Sequence, residues 1–230
     1  GIDNTLNIIK NHPNKAIISE ARASGKKNPD KKYVDTVWQY HTSKQKREET
    51  GKSGEFKKVN RNCYDHVKST QVQCVTWTST YKGRRSKANL ESLSGYIYID
   101  IDDFIDKPFQ DVWDILSDDG LSFVKAVWRS FGGNGIGCLI KVDGLTVDNY
   151  KSTWNSLYKL FNERFGFKLD AQTKDITRIN VLSFDPDIFI KADANVVPYI
   201  AVEAKKKREV KIVDYELNES TQNQILFDLF

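Results

Sequence analysis

The sequence predicts an α+β domain built around a mainly antiparallel sheet, and three observations carry that expectation. Tyr96–Asp102 (YIYIDID) alternates isoleucine with tyrosine or aspartate, the period of a strand with two unlike faces. Phe109–Leu116 and Val147–Phe165 instead space their apolar residues as helices do. The β-rich segments Phe123–Arg129 and Ile136–Val142 flank a short glycine-rich turn.

Taken in order, the first 70 residues are polar and lysine-rich, with turn formers at Gly25–Pro29 and Gly51–Gly54. Tyr33–Tyr40 reads as a strand, Lys44–Lys58 as a solvated loop and Phe56–Lys68 as a short helix. Val72–Tyr81 alternates and is rich in β-formers, so it reads as one strand leading toward Tyr96–Asp102. In the first helix Phe109, Val112, Trp113 and Leu116 share a face; in the second, Tyr150, Trp154, Leu157, Tyr158 and Phe161 form one stripe. Strands are expected at Ile176–Ser183, Ile188–Ile190 and Val197–Val202. The chain then passes through Lys205–Arg208 and a polar stretch to Ile225–Phe230, which reads as the start of a helix. The expected organisation is a basic N-terminal lobe (1–70), a core (71–204) belonging to the same domain, and a basic and polar tail (205–230) leading to a further region.

Composition narrows the function. In 230 residues, 39% are hydrophobic and 29% charged, enough apolar content for one compact domain or two very small ones, and too much for global disorder. The cysteines (Cys63, Cys74, Cys138) are scattered, with no CxxC pair, which argues against a structural zinc site and a disulfide framework and for a reducing, cytoplasmic setting. No apolar run reaches membrane-spanning length. His12, His41 and His66 are isolated, so a His-pair nickase and a His-rich metallohydrolase are disfavoured, and no nucleophile elbow is present. The net charge of +4 hides a split: residues 1–90 carry +11 and residues 91–230 carry −7. A basic half joined to an acidic half suggests a polyanion partner beside a cation site.

The strongest local pattern is the aspartate pair of Tyr96–Asp102. Ile97, Ile99 and Ile101 would face the helices, leaving Tyr96, Tyr98, Asp100 and Asp102 on the open face. Two carboxylates about 6–7 Å apart at their Cα atoms can converge on hard divalent cations, and two such ions suit in-line phosphoryl displacement. The plainer alternative is a strand ending on a solvated face. Ser130–Gly137 (SFGGNGIG) offers backbone N–H groups that could cradle phosphate, or simply a hairpin turn. It is not a P-loop, because no Gly-Lys-Ser/Thr follows. Asp170 precedes a turn and could add a third carboxylate; Arg178, in an expected strand, could grip a triphosphate or form a surface ion pair. Asp175, Asp185 and Asp187 read as turn residues. Trp77 and Trp128 are either core or a base-stacking platform.

The succession of a strand with Asp-x-Asp (Asp100, Asp102), then Ser-x-x-Gly-x-Gly (Ser130, Gly133, Gly135) before a strand, then a hydrophobic-Asp (Leu169, Asp170) followed by Arg178, resembles the archaeo-eukaryotic primase superfamily. Within it the chain looks most like the primase-polymerase branch with the VirE N-terminal-like domain of phages and mobile elements. The likeness covers roughly residues 70–195, including Thr76–Tyr81 with Arg84 and Arg85 upstream and Ser183–Asp187 downstream. It implies an RRM-like sheet with helices on one face, and a nucleotidyltransferase that joins NTPs or dNTPs on a single-stranded DNA template. By motif, Asp100, Asp102 and Asp170 would bind two Mg²⁺ or Mn²⁺ ions; Ser130, Gly133, Asn134, Gly135 and Arg178 would contact the nucleotide, and Arg84 and Arg85 the template. A helicase domain beyond Phe230 would fit a replicative role. Where many superfamily members carry a histidine, this chain has Gly137, with Lys141 and Arg129 as nearby basic substitutes; a second basic position is Asn180. The competing readings are a catalytically weakened nucleic-acid-binding module on the same fold, and a metal-dependent nuclease.

Overall fold

A computed structural model describes residues 1–26, 33–41, 55–118 and 121–195. The expected strand Val197–Val202, the tail 205–230 and most of the Lys44–Lys58 loop lie outside them.

The sheet that organises the molecule has four strands: β6 (Tyr96–Ile101), β7 (Val124–Arg129), β8 (Ile136–Lys141) and β10 (Phe189–Ile190), in the order β10-β7-β8-β6, with every neighbouring pair antiparallel. Two helices complete it, here numbered α4 (Phe109–Ser117) and α5 (Val147–Leu160). Because β8 lies between β6 and β7, β6-α4-β7 is a split β-α-β unit. The alternation read in Tyr96–Asp102 holds: Ile97, Ile99 and Ile101 are fully buried in the main core with Val112, Leu116, Tyr150, Trp154 and Leu157 of the two helices. A capping box between Thr146 and Asn149 starts α5, which widens into a π-helical turn at Phe161–Phe165 and stops at Gly166 (φ 69°).

The N-terminal region holds two helices that the sequence reading did not anticipate, α1 (Ile2–Lys10) and α2 (Lys15–Ser24). They are polar helices whose apolar content is one narrow stripe each. Leu6 and Ile9 of α1 are fully buried on the second face of the sheet, against Trp77, Tyr98, Ala126, Trp128, Leu139, Leu182 and Ile188. Two polar contacts fasten α1: Asp185 N donates to Ile9 O (3.0 Å), and the Lys125 ammonium lies 2.9 Å from Asp3. Ile18 and Ala21 of α2 pack with Tyr64, Val67 and Phe131 in a third cluster.

Three expectations need correction. Phe56–Lys68 is not a helix: β2 (Glu55–Asn62) pairs with β1 (Tyr33–His41) through its whole length. The helix, α3 (Cys63–Thr70), begins only where the Asn62 side chain accepts from Asp65 N (2.9 Å). Val72–Tyr81 is two short strands rather than one, because β3 (Cys74–Val75) pairs with β9 (Asn180–Val181) and β4 (Ser79–Tyr81) with β5 (Leu90–Leu93). Ile176–Ser183 is reduced to β9, because Asp175 draws the chain into a turn, accepting from Thr177 N (3.0 Å) and, through its carbonyl, Arg178 N (2.8 Å). Arg178 therefore stands in the segment before a strand, not inside one. Of the two readings open for Trp77 and Trp128, core holds: they are 2% and 0% exposed, and the second face of the sheet presents neither as a stacking platform.

If α1 seals this face, Ile9→Ala should cost about 2–5 kcal/mol of unfolding free energy and raise acrylamide quenching of tryptophan fluorescence. An unchanged denaturant midpoint would show that α1 is not packed as described.

Candidate active site

The part of the second sheet face that α1 leaves open is a cavity of about 990 Å³. Its floor is the C-terminal end of β6, with Tyr98, Asp100 and Asp102. One wall is the β7–β8 turn, and the other is the Arg178–Val181 segment. The roof comes from the N-terminal region: Arg22 and Lys26 at the end of α2, and Tyr64 and Lys68 on α3.

The glycine-rich turn is a hairpin that also lines the cavity. Ser130 N donates to Gly135 O (2.8 Å), Gly135 N to Ser130 Oγ (3.1 Å) and Gly133 N to Ser130 O (2.9 Å), with Gly133 at φ 82°. Arg22 clamps this turn from α2: Nε donates to Phe131 O (2.9 Å), and Nη2 donates to Ser130 O (3.1 Å) and Ser183 Oγ (2.7 Å). Arg22 lies outside every motif read from the sequence. The Ile18–Ala21–Arg22 spacing on an amphipathic α2 was the signal that could have found it.

Two glycines are fixed by close approach. A Cβ on Gly135 would overlap the Asp102 carboxylate and meet Ser130 Oγ at 3.0 Å. A Cβ on Gly137 would meet the Trp128 indole at 2.6 Å. Gly137 is the register partner of both Asp100 on β6 and Trp128 on β7, so the indole fills the space a side chain at 137 would take.

Asp100 sits where the apolar face meets this cavity. Its Oδ1 is buried with no hydrogen-bond partner. Its carboxyl is pushed up to about 7, first by burial and then by Asp102; Asp170 adds to the rise, while the Tyr98 hydroxyl and Lys68 ammonium oppose it. Burial likewise holds the Tyr98 hydroxyl well above the ordinary tyrosine range, and that hydroxyl accepts from Asn180 Nδ2 (2.7 Å). Asn180 also accepts from Trp77 Nε1 (3.2 Å), so its amide links the two aromatic rings.

Asp170 lies beside Asp100, its N donating to Asp100 O (2.7 Å), but its carboxylate is already engaged. Oδ1 accepts from Gln172 N (3.0 Å) and Oδ2 is 3.9 Å from Arg178. Among the described residues no three His, Cys, Asp or Glu side chains are assembled as a metal cluster. An orphaned buried carboxylate oxygen on Asp100 beside the exposed Asp102 carboxylate is nonetheless a donor pair that suits a hard cation.

The other sequence candidates are placed as follows. Arg84 and Arg85 are exposed between β4 and β5 and do not line the cavity, although Arg85 donates to Thr177 O, next to Arg178. Arg129 lies over the Phe109 ring (4.3 Å) on the helix side, and Lys141 donates to Ala194 O (3.1 Å); neither lines the cavity. Asp185 is fully buried and accepts from Arg129 N (2.7 Å) and Asp187 N (3.1 Å), a turn role. No helix among the described residues is long and apolar enough to cross a membrane.

The chain belongs to the family of BT4734-like N-terminal domains, whose model matches residues 67–189, from the end of α3 to β10. No curated protein and no solved structure matches it.

Two measurements test this geometry. Gly137→Ala should cost about 1–3 kcal/mol and alter the near-ultraviolet tryptophan signal, because the Trp128 ring must move. Unaltered stability would remove the close contact. Because the folded-state pKa of Asp100 is raised, the native state binds more protons than the unfolded chain between pH about 4 and 7. In metal-free buffer this group therefore withdraws stability as pH rises through that window, and the loss is complete above it. Asp100→Asn should flatten that fall and be more stable than the parent at pH 8, by at most about 4 kcal/mol. Equal pH profiles would place Asp100 in water.

Proposed function

We propose that the cavity is the nucleotidyl-transfer site of a primase-polymerase, which joins nucleoside triphosphates on a single-stranded DNA template. The observation that carries this reading is charge placement: Asp100 and Asp102 on the sheet floor face a cavity whose other walls bring in Lys26, Lys68 and Arg178. Acids set across from cations match a reaction in which divalent ions and a polyphosphate meet. A volume of about 990 Å³ suits a nucleotide-sized ligand.

In this reading the chain's groups divide the work. Asp100 and Asp102 supply oxygen ligands from one face of β6, and Asp170 joins them by releasing its contact with Arg178. Mg²⁺ or Mn²⁺ held there would activate the 3′-hydroxyl and neutralise charge on the transferred phosphoryl group. The Ser130–Gly135 turn, braced by Arg22, presents Ser130, Asn134 and backbone to the nucleotide. Arg178, once separated from Asp170, offers a planar fork to phosphate oxygens. Arg84 and Arg85, both exposed and with Arg85 bonded to Thr177 O, would meet the template. The split β-α-β unit, with α4 and α5 on one face of its sheet, supports an RRM-like core; α1 departs from the expected one-sided arrangement by covering part of the other face.

Two observations favour a second reading, a nucleic-acid-binding module without catalysis: Asp170 is committed to Arg178 and Gln172, and the Trp128 ring takes the space of a side chain at 137. Template-dependent incorporation separates the two. With Mn²⁺ or Mg²⁺ and a single-stranded template, the unaltered protein should extend or initiate chains. Asp100→Ala and Asp102→Ala should each abolish incorporation while keeping or strengthening DNA binding. No incorporation by the unaltered protein with any nucleotide would leave the binding module.

A further inference from the structure

The basic side chains around the second sheet face are nearly all engaged within the protein. Arg22 spends its donors on Ser130, Phe131 and Ser183, Arg178 is paired with Asp170, and Lys125 is paired with Asp3. Lys141 donates to Ala194 O. Lys68 differs. It is half-buried and lines the cavity, yet among the described residues it has no hydrogen bond or carboxylate within salt-bridge distance. Its ammonium instead lies 5.8 Å from the centroid of the Tyr64 ring and 5.9 Å from that of Phe131. Those rings are packed edge to face at 5.2 Å, so the lysine stem is held against a rigid aromatic corner beside the glycine-rich turn. A half-buried ammonium without an anion is costly, and a bound anion offsets that cost.

A second observation concerns placement. The cavity's cations come from its walls and roof, Arg178 before β9, Lys26 after α2 and Lys68 on α3, and they stand across from the Asp100 and Asp102 carboxylates of the floor. On β8 itself the Trp128 indole fills the space of a side chain at Gly137, so that strand adds no cation there. Burial is the main cause holding the Lys68 ammonium below its ordinary lysine range, with Lys26 adding to it and Asp100 and Asp102 opposing, as expected of a cation facing a shared cavity.

We infer that Lys68 is a phosphate-binding residue of this cavity, delivered by α3 from the roof, which contacts the outer phosphates of a nucleoside triphosphate. The inference rests on the nucleotidyl-transfer reading and adds the group that recognises the triphosphate tail. It predicts discrimination by phosphate number, because a point charge beyond the first phosphate has nothing to hold in a monophosphate.

The test is calorimetric titration of the whole chain with dATP and with dAMP, in Ca²⁺, for the parent and for Lys68→Ala, Lys68→Gln and Lys68→Arg. Circular dichroism identifies variants that remain folded, and Gln keeps the stem that packs on Tyr64 and Phe131. Lys68→Ala and Lys68→Gln should weaken dATP binding roughly 10–100-fold, as loss of a charged hydrogen bond does, and leave dAMP nearly unchanged. Lys68→Arg should retain most of the affinity. If the parent binds dATP and the folded Gln variant binds it equally well, or loses dATP and dAMP alike, Lys68 is a packing residue and the inference fails while the reading stands. If the parent binds no nucleoside triphosphate, with GTP and dCTP also tried, the nucleotidyl-transfer reading itself fails and the inference with it.

Discussion

The contact between the Trp128 indole and Gly137 sets the layout of this molecule's working face. The ring lies across β8 where a side chain would otherwise project, and it packs with Trp77 at 5.2 Å and stacks with Tyr98 at 5.9 Å. This aromatic layer gives α1 an apolar surface to bury Leu6 and Ile9 against, and so divides one sheet face into a sealed half and an open half. Asp100 falls on the boundary. Its carboxyl is desolvated by the sealed half and aimed at the open one, which is why its ionised form is costly without a counter-charge.

The roof of the cavity follows from the same division. With α1 covering the aromatic layer, the chain passes into α2 at the edge of the open half, and Arg22 ties that helix to the β7–β8 turn. The Tyr64–Phe131 contact ties α3 to the same turn. Floor, wall and roof thus meet at the Ser130–Gly135 hairpin, although their residues are far apart in sequence. The split between a basic first part and an acidic second part becomes a spatial one: the cavity takes Lys26 and Lys68 from the first and Asp100 and Asp102 from the second.

The central elements were readable because their signals are local and strongly periodic. The isoleucines of Tyr96–Asp102 and the stripes of α4 and α5 face the core as their spacing requires, and the hairpin around Gly133 needs a positive φ that glycine supplies. The N-terminal helices were not readable on the same basis, since two buried apolar residues in each give little periodic signal against a lysine-rich background. The expected strands at Val72–Tyr81 and Ile176–Ser183 had sound β propensity. It was overridden by partner choice in the first and by the Asp175 turn in the second, both outside what propensity records.

For the site, the sequence by itself determined which groups share a surface: the two-residue period of β6 puts Asp100 and Asp102 on one side of the sheet, whatever packs there. Tertiary structure decided everything that depends on long-range contact. It left Asp100 half-buried with one buried, unpartnered oxygen, paired Asp170 with Arg178, and turned Arg129 and Lys141 away from the cavity. It also brought Arg22 and Lys68 over the carboxylates from helices that no motif marked. The reason is physical: covalent geometry fixes the direction of neighbouring side chains, whereas burial, counter-charges and steric room are set by segments far apart in the chain, as Arg22 and Ser183 are at a separation of 161 positions.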